Sequence, residues 1–502
     1  MPHNSYRQLV LFSVVLCMTL VSGRPASAMT REVEWPDTLA AKTARAYIEL
    51  INQGDAQAYR NWENEHRTAE SLATFNMDER VSMWSRMCQM WGTLNVDSIV
   101  ESSPYKITIL LQDTNSKRWR TFTFELESDA PHKMTTMFME RAMDPAQASL
   151  SWDQFDDIAD LLTQVRKDTG IPAIAVALVK DGKIVDQAAV GVREVGKDDQ
   201  VKIDDRFHWG SVTKSVTGSI IGHLIEQGVL NWDTTIGETL SESEPRSEYL
   251  DVTIEQLMGH AGGIESYTRL QPGMFDAHMD EPTPVAQRAS FVREVLQKDP
   301  LGTPGKTMHY SNAGITVAAH IAEKQSGKPW EEMVHEYVYA PLGMSTSGLG
   351  WPRDISTDQP SGHMQEGKTY APFDFLRNHP MNPAGNVHSS VGDFALYAIG
   401  HLNGLAGKDG FLKAATIQRM HTPLPEVTGR EGYAFGWGLR DYKGQTMHWH
   451  NGSAGTFYAE IRLFPKQNAG IIIMVNAGGT NQIGVKIADA IYDKYIVGGD
   501  SD

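Results

Sequence analysis

Apolar residues recur at helical spacing from Leu39 to Ile51, where Gly54-Asp55 ends the run, and again from Asp78 to Trp91. After Gly92 the period changes to two. Lys106–Leu111 and Trp119–Phe124 read as strands joined by a turn at Asp113–Ser116, and Met134–Met139 adds a third. Helices followed by a curled antiparallel sheet, within roughly 110 residues, predict a small α+β module. Met143–Ser149 reads as a linker. Beyond it a helix is expected over Trp152–Arg166, with Phe155, Ile158, Leu162 and Val165 on one stripe and Gly170-Ile-Pro172 breaking it. Two apolar runs, Ala173–Val179 and Ile184–Val192, flank Lys180-Asp-Gly-Lys183, the signature of a hairpin. The C-terminus mirrors this with Tyr458–Phe464, Gly470–Val475 and a last helix over Asn481–Ile496. Strands thus sit at both ends of this segment, with a mostly helical middle between them.

The N-terminus adds a different element. Arg7 precedes an apolar run from Leu9 to Val21, and Ala26-Ser27-Ala28 closes it with small residues. That is the layout of a signal peptide cleaved after Ala28. The alternative is a membrane anchor, but the run falls short of the roughly 20 residues a spanning helix needs. Export, to the periplasm or outside the cell, is therefore expected, without a stable membrane anchor. The expected order is a signal peptide (1–28), the α+β module (29–142), a linker (143–151) and a large domain (152–498). In order and length, the module resembles the cone-shaped nuclear transport factor 2-like domains. That resemblance implies a unit that either holds a ligand or packs and dimerises; packing is the simpler reading, with a homo-oligomer formed through it.

Composition narrows the class. The chain has 502 residues, of which 41% are hydrophobic and 21% charged, so it can bury a sizeable core in more than one domain. The formal charge of −17 speaks against a nucleic-acid partner held through phosphates. Signal cleavage removes Arg7, Arg24 and Cys17, which makes the balance still more acidic and leaves Cys88 without an intramolecular partner.

The candidate chemistry begins in "FHWGSVTKSVTG". Ser211 and Lys214 stand three apart at the start of an apolar helical run through Val212, Val216, Ile220, Leu224 and Ile225 to Gly228. Positions i and i+3 share a helix face, so the amine can reach the hydroxyl. A desolvated, neutral lysine could take the hydroxyl proton and make serine a nucleophile. The plainer reading makes Ser211 a helix cap and Lys214 a solvated surface residue. Two further stretches decide between them: "PGKTMHYSNAGI" places Tyr310 and Asn312 just before an apolar helix, and "HWHNGSAGTFYAEI" places His450 and Gly452 at the start of a strand.

Serine–x–x–lysine, tyrosine–x–asparagine and histidine–x–glycine, in that order, resemble the three motifs of the penicillin-recognising serine hydrolases. The likeness runs from about residue 152 to the end, and is strongest to class C β-lactamases, D-aminopeptidases and their esterase relatives. It implies a β-lactamase/transpeptidase-like α/β domain, an antiparallel sheet flanked by helices, with an all-helical subdomain. "IEQLMGHAGGI", "NPAGNVHSSVGDFALYA" and "YAFGWGL" fall where that family has similar segments. The resemblance implies that Ser211 is the acylated nucleophile, Lys214 the amine sharing its proton, and Tyr310 the phenol relaying a proton to the leaving group. It implies that Asn312 bonds the substrate, and that the backbone N–H groups of Ser211 and Ser453 form an oxyanion hole. Gly452 keeps the strand bare for the substrate.

His450 departs from the lysine of many β-lactamases. Histidine is largely neutral at pH 7, so substrate carboxylates should be held less well, which points toward the aminopeptidase and esterase branches. His448 and His450, one apart on a strand, also invite a metal reading, but no carboxylate completes a metallohydrolase motif; neither metal nor cofactor is expected. His208 and His309 read as packing or wall residues, and Trp209 as a core or rim aromatic. The expected protein is an exported serine hydrolase acting on small esters, amides or D-amino-acid peptides. The alternatives are a β-lactamase or DD-carboxypeptidase in the strict sense, and a non-catalytic binding protein on the same fold.

Overall fold

The computed structural model describes residues 33–73, 76–268, 273–366, 369–373, 380–425, 427 and 432–498; the expected signal peptide lies outside them. The chain divides into two compact units. One runs up to Arg141 apart from Ser116–Arg118, and the other takes those three residues and everything from Ala142 onward.

The first unit is α+β. Helices Leu39–Gln53 and Met77–Trp91 form where the apolar spacing placed them, and two more, Ala56–His66 and Ala69–Ala73, lie between. Gly54, at φ 71°, closes the first helix by donating its N–H to the carbonyl of Leu50. Four antiparallel strands follow in chain order: Leu94–Ser102, Lys106–Asp113, Trp119–Leu126 and Met134–Arg141. Leu94–Ser102 escaped the sequence reading because two register shifts, Val96/Ser98 and Ile99/Glu101, break its alternation. Ile107, Ile109, Leu111, Phe122 and Phe124 pack inward against Tyr47, Trp62 and Trp84.

The second unit is built on a seven-stranded antiparallel sheet. Its order is Tyr433–Ala434, Trp437–Tyr442, Gln445–Ser453, Tyr458–Phe464, Ala469–Val475, Ala173–Lys180 and Lys183–Gly191. The two ends of the segment meet where Ala175 pairs with Met474. Ala469–Val475 is buried along its whole length and Ala173–Lys180 at all but its last residue, which explains why they read as continuous apolar runs. One face packs on the helical middle of the chain; the other is covered by helices Ile158–Thr169 and Asn481–Ile491. Asp181 and Gly182 take φ of 52° and 74°, the backbone a two-residue hairpin turn demands.

Three expected elements need correction. The helix expected from Trp152 starts at Ile158, because Asp157 caps it by accepting the Asp160 N–H at 2.8 Å; Trp152 instead anchors the lead-in by donating to Asp168 at 3.0 Å. Asn312 opens its helix rather than preceding it, with Ser311 as the cap. His450 and Gly452 end their strand, since the turn at Lys443-Gly444 starts the hairpin several residues earlier. Among the described residues no helix is long and apolar enough to cross a membrane.

Candidate active site

Ser211 sits in a single 3₁₀ turn, Gly210–Val212, that runs directly into the helix Thr213–Glu226. The first N–H groups close this turn, Val212 on the carbonyl of Trp209 at 3.3 Å and Thr213 on that of Gly210. Lys214 lies one turn on, and its Nζ donates to Ser211 Oγ at 2.9 Å and to the carbonyl of Ala384 at 2.7 Å. It is fully buried. Burial alone holds its amine well below the usual lysine range. The solvated-surface reading of Lys214 fails on that point.

Tyr310 lies on the chain entering the Asn312–Ser326 helix, and its ring centroid is 4.9 Å from Lys214 Nζ. Asn312 donates Nδ2 to the carbonyl of Tyr267 at 2.8 Å, which fixes the orientation of its amide. The Gln445–Ser453 strand closes the opposite side. A Cβ on Gly452 would stand 1.9 Å from the carbonyl oxygen of Trp209 and 2.6 Å from the Ser211 nitrogen, so only glycine lets the strand press against this turn. Ser211 and Ser453, the residues expected to offer oxyanion donors, both line one cavity of about 760 Å³ with Tyr310, Asn312 and His450. Lys214 and Gly452 do not line that space; each instead lies against Ser211.

His450 is held at both ring nitrogens. Its Nδ1 meets the carbonyl of Asn451 at 2.6 Å and its Nε2 meets Tyr433 Oη at 3.0 Å. A carbonyl can only accept, so Nδ1 carries a proton, while Nε2 and the phenol share a hydrogen bond that either can donate. His448 turns instead to His421, Nδ1 to Nδ1 at 2.9 Å. Among the described residues no group of three or more histidine, cysteine, aspartate or glutamate side chains is placed to hold a metal ion. Trp209 is core: fully buried, 3.8 Å from Phe394 ring to ring, and bonded through Nε1 to Ser389 at 2.8 Å. His208 lines the cavity; His309 packs behind it, its N–H on the carbonyl of His260.

Sequence reasoning gave no role to Tyr433, His260 or Ala384, although "YAFGWGL", "IEQLMGHAGGI" and "NPAGNVHSS" contain them. The His260 ring lies 4.3 Å from that of Tyr310 and 4.7 Å from that of Tyr433, and its Nδ1 accepts the Ser311 N–H at 3.2 Å. It braces both phenols. The signal was present in the order of those segments, but no spacing rule connects residues fifty or more positions apart.

A buried amine bonded to a serine at a helix start, on an antiparallel sheet flanked by helices, defines the class: a serine-hydrolase fold. The Beta-lactamase family profile matches residues 158–495, and the chain belongs to that family. Similar proteins include an unguisins hydrolase of Aspergillus campestris, 25% identical over 365 residues, covering 69% of this chain and 66% of its own. Penicillin-binding protein 4 of Amycolatopsis lactamdurans is 25% identical over 326 residues, covering 62% of this chain and 83% of its own. The chain thus spans just under two thirds of the first relative's length, and 60% of a second unguisins hydrolase, from Aspergillus violaceofuscus. The octameric penicillin-binding protein homologue from Pyrococcus abyssi has the same fold, with a TM-score of 0.55 at 23% identity over 68% of this chain and 77% of that one.

Proposed function

We propose that this protein hydrolyses small esters, amides or D-amino-acid peptides through an acyl-enzyme on Ser211. The observation that carries the reading is the fully buried Lys214 amine, 2.9 Å from Ser211 Oγ and held neutral by burial. Lys214 takes the hydroxyl proton as Ser211 Oγ attacks the acyl carbon. The N–H groups of Ser211 and Ser453 receive the developing oxyanion. Tyr310 passes a proton to the departing alcohol or amine, and water then releases the acid by the same steps in reverse. Trp351, Met381, Leu439 and Trp449 on the cavity wall suit an apolar acyl or leaving group. Histidine at 450, with no permanent lysine charge and with Nε2 already bonded to Tyr433, supports the esterase or aminopeptidase branch.

A second reading is a β-lactamase or DD-carboxypeptidase in the strict sense, favoured by Arg440, whose guanidinium lines the cavity 4.9 Å from the Trp449 ring. Labelling with a fluorophosphonate, followed by a panel of p-nitrophenyl esters, D-aminoacyl anilides and nitrocefin, separates the readings. No label and no turnover would leave a binding protein on the same fold. Export by cleavage after Ala28 belongs to the same proposal, as does a packing or dimerising role for the first unit in the manner of nuclear transport factor 2-like domains. N-terminal sequencing and solution mass, respectively, test these two.

A further inference from the structure

The residue three before the nucleophile holds a place that the reaction scheme above leaves unused. Gly210 adopts φ 53°, a left-handed conformation immediately before Ser211. A Cβ there would come within 2.6 Å of the Ser453 nitrogen, so this turn and the end of the Gln445–Ser453 strand are pressed together where both oxyanion donors arise. The Gly210 N–H does not enter the helix ladder; it donates to His208 Nδ1 at 3.0 Å. His208 is itself buried and held from several sides. Its backbone pairs with His388, its ring stacks 4.8 Å from Trp351, and its Nε2 faces Asn386 Oδ1 at 3.5 Å. A group so fixed is a rigid acceptor aimed at one backbone N–H.

We infer that His208 is a positioning residue: by accepting the Gly210 N–H it holds the left-handed turn that aims Ser211 and its N–H at the substrate. It touches no reacting atom. Its acceptor must be Nδ1 of a neutral ring with the proton on Nε2, directed at Asn386. The inference builds on the acyl-transfer reading and adds a geometric requirement to it.

The test uses the full chain with His208→Asn, whose Oδ1 stands where Nδ1 stood, His208→Gln, which moves the acceptor one bond outward, and His208→Leu, which removes it. With a p-nitrophenyl ester, His208→Leu should lower kcat by about 10- to 100-fold with KM changed less than about threefold, and His208→Asn should recover most of the loss. Normal kcat in His208→Leu, or equal impairment in all three variants with unchanged melting, would overturn the inference. Should His208→Leu fail to fold, the contrast between Asn and Gln carries the same decision. A crystal structure of the Gln variant supplies an arm independent of turnover: the Gly210 turn should move off the strand, and an unmoved turn counts against us. If the wild-type protein hydrolyses nothing in the panel, the acyl-transfer reading fails, and that crystal structure alone decides the role of His208.

Discussion

Tyr433 Oη and His450 Nε2 lie 3.0 Å apart on the wall of the cavity that Ser211 lines. With Nδ1 on the carbonyl of Asn451, both ring nitrogens are held by partners from its own chain. His450→Lys should place a permanent cation beside the acyl site. An ionic hydrogen bond of about 1–3 kcal/mol, roughly 5- to 150-fold, should then appear in kcat/KM for nitrocefin, while p-nitrophenyl butyrate stays flat or falls. Equal responses of the two substrates would show that residue 450 does not read substrate charge.

Ser211→Ala should abolish covalent labelling and turnover with folding intact, because the hydroxyl serves only the chemistry. Lys214→Met should cost about 10²- to 10⁴-fold in kcat. The sign for stability is opposite. An amine whose folded pKa is depressed stays neutral while the unfolded chain binds a proton, so burying it costs stability below the usual lysine pKa. Lys214→Met should therefore raise the melting temperature, roughly by a few degrees. For the same reason, activity should fall on the acid side as Lys214 protonates, at a pH far below that of an ordinary lysine. A rate that begins to rise only near pH 10 would argue against Lys214 as the base.

Gly452→Ala should abolish turnover and destabilise the second unit by about 1–3 kcal/mol, since its Cβ would meet backbone at 1.9 Å and must push the strand off the Ser211 turn. Urea midpoints and ester hydrolysis measure the two effects. An active Gly452→Ala enzyme would mean that this contact does not shape the site.

A buried chain of imidazoles should make the protein acid-labile. His401 Nδ1 meets His421 Nε2 at 3.0 Å, and His421 passes on to His448. Burial, with the His448 ring adding to it, pushes His401 down to about 3; burial pushes His448 down to about 4 and, with the His448 and His401 rings, holds His421 well below its usual range. The unfolded chain takes up these protons first, so their contribution is present above pH 6.5 and is lost as pH falls toward 4 and 3. At pH 5 the loss is about 2 kcal/mol for each of His401 and His448. Urea midpoints from pH 7.5 to 4.5 should fall more steeply for the native chain than for His421→Asn. Equal slopes would show that the rings protonate without penalty.

The second unit should stand alone, but only with its lead-in. Lys486 Nζ reaches the carbonyls of Gln147, Ala148 and Leu150, so the expected linker is part of the packed structure. A chain starting at Ala142 should keep full ester turnover. One starting at Ser149, which loses two of those carbonyls, should melt lower. Loss of turnover in a well-folded chain from Ala142 would give the first unit a part in the site.

Much of the site was legible because its motifs are local. Ser211 and Lys214 share a helix face by spacing alone, and Tyr310-x-Asn312 and His450-x-Gly452 each sit at the end of one regular element. Tyr458–Phe464 has the bounds the sequence announced, although Glu460 and Arg462 interrupt its apolar residues; the two are buried and pair with each other at 2.6 Å. Trp152–Ile158 was misread because an apolar stripe does not show which aspartate caps it. The surroundings of His450 were not legible at all: its residue type suggested a weak carboxylate binder, but the partner of its Nε2 is Tyr433, seventeen residues away across the sheet edge. Sequence by itself determined which chemistry the chain could carry: a serine, a lysine and a phenol at spacings that admit acyl transfer. Tertiary structure alone decided that Lys214 is stripped of water, that Gly452 and Gly210 bring two backbone segments into contact, and that His450 bonds to Tyr433. Desolvation, close approach and partner choice depend on residues distant along the chain, and no local pattern encodes them.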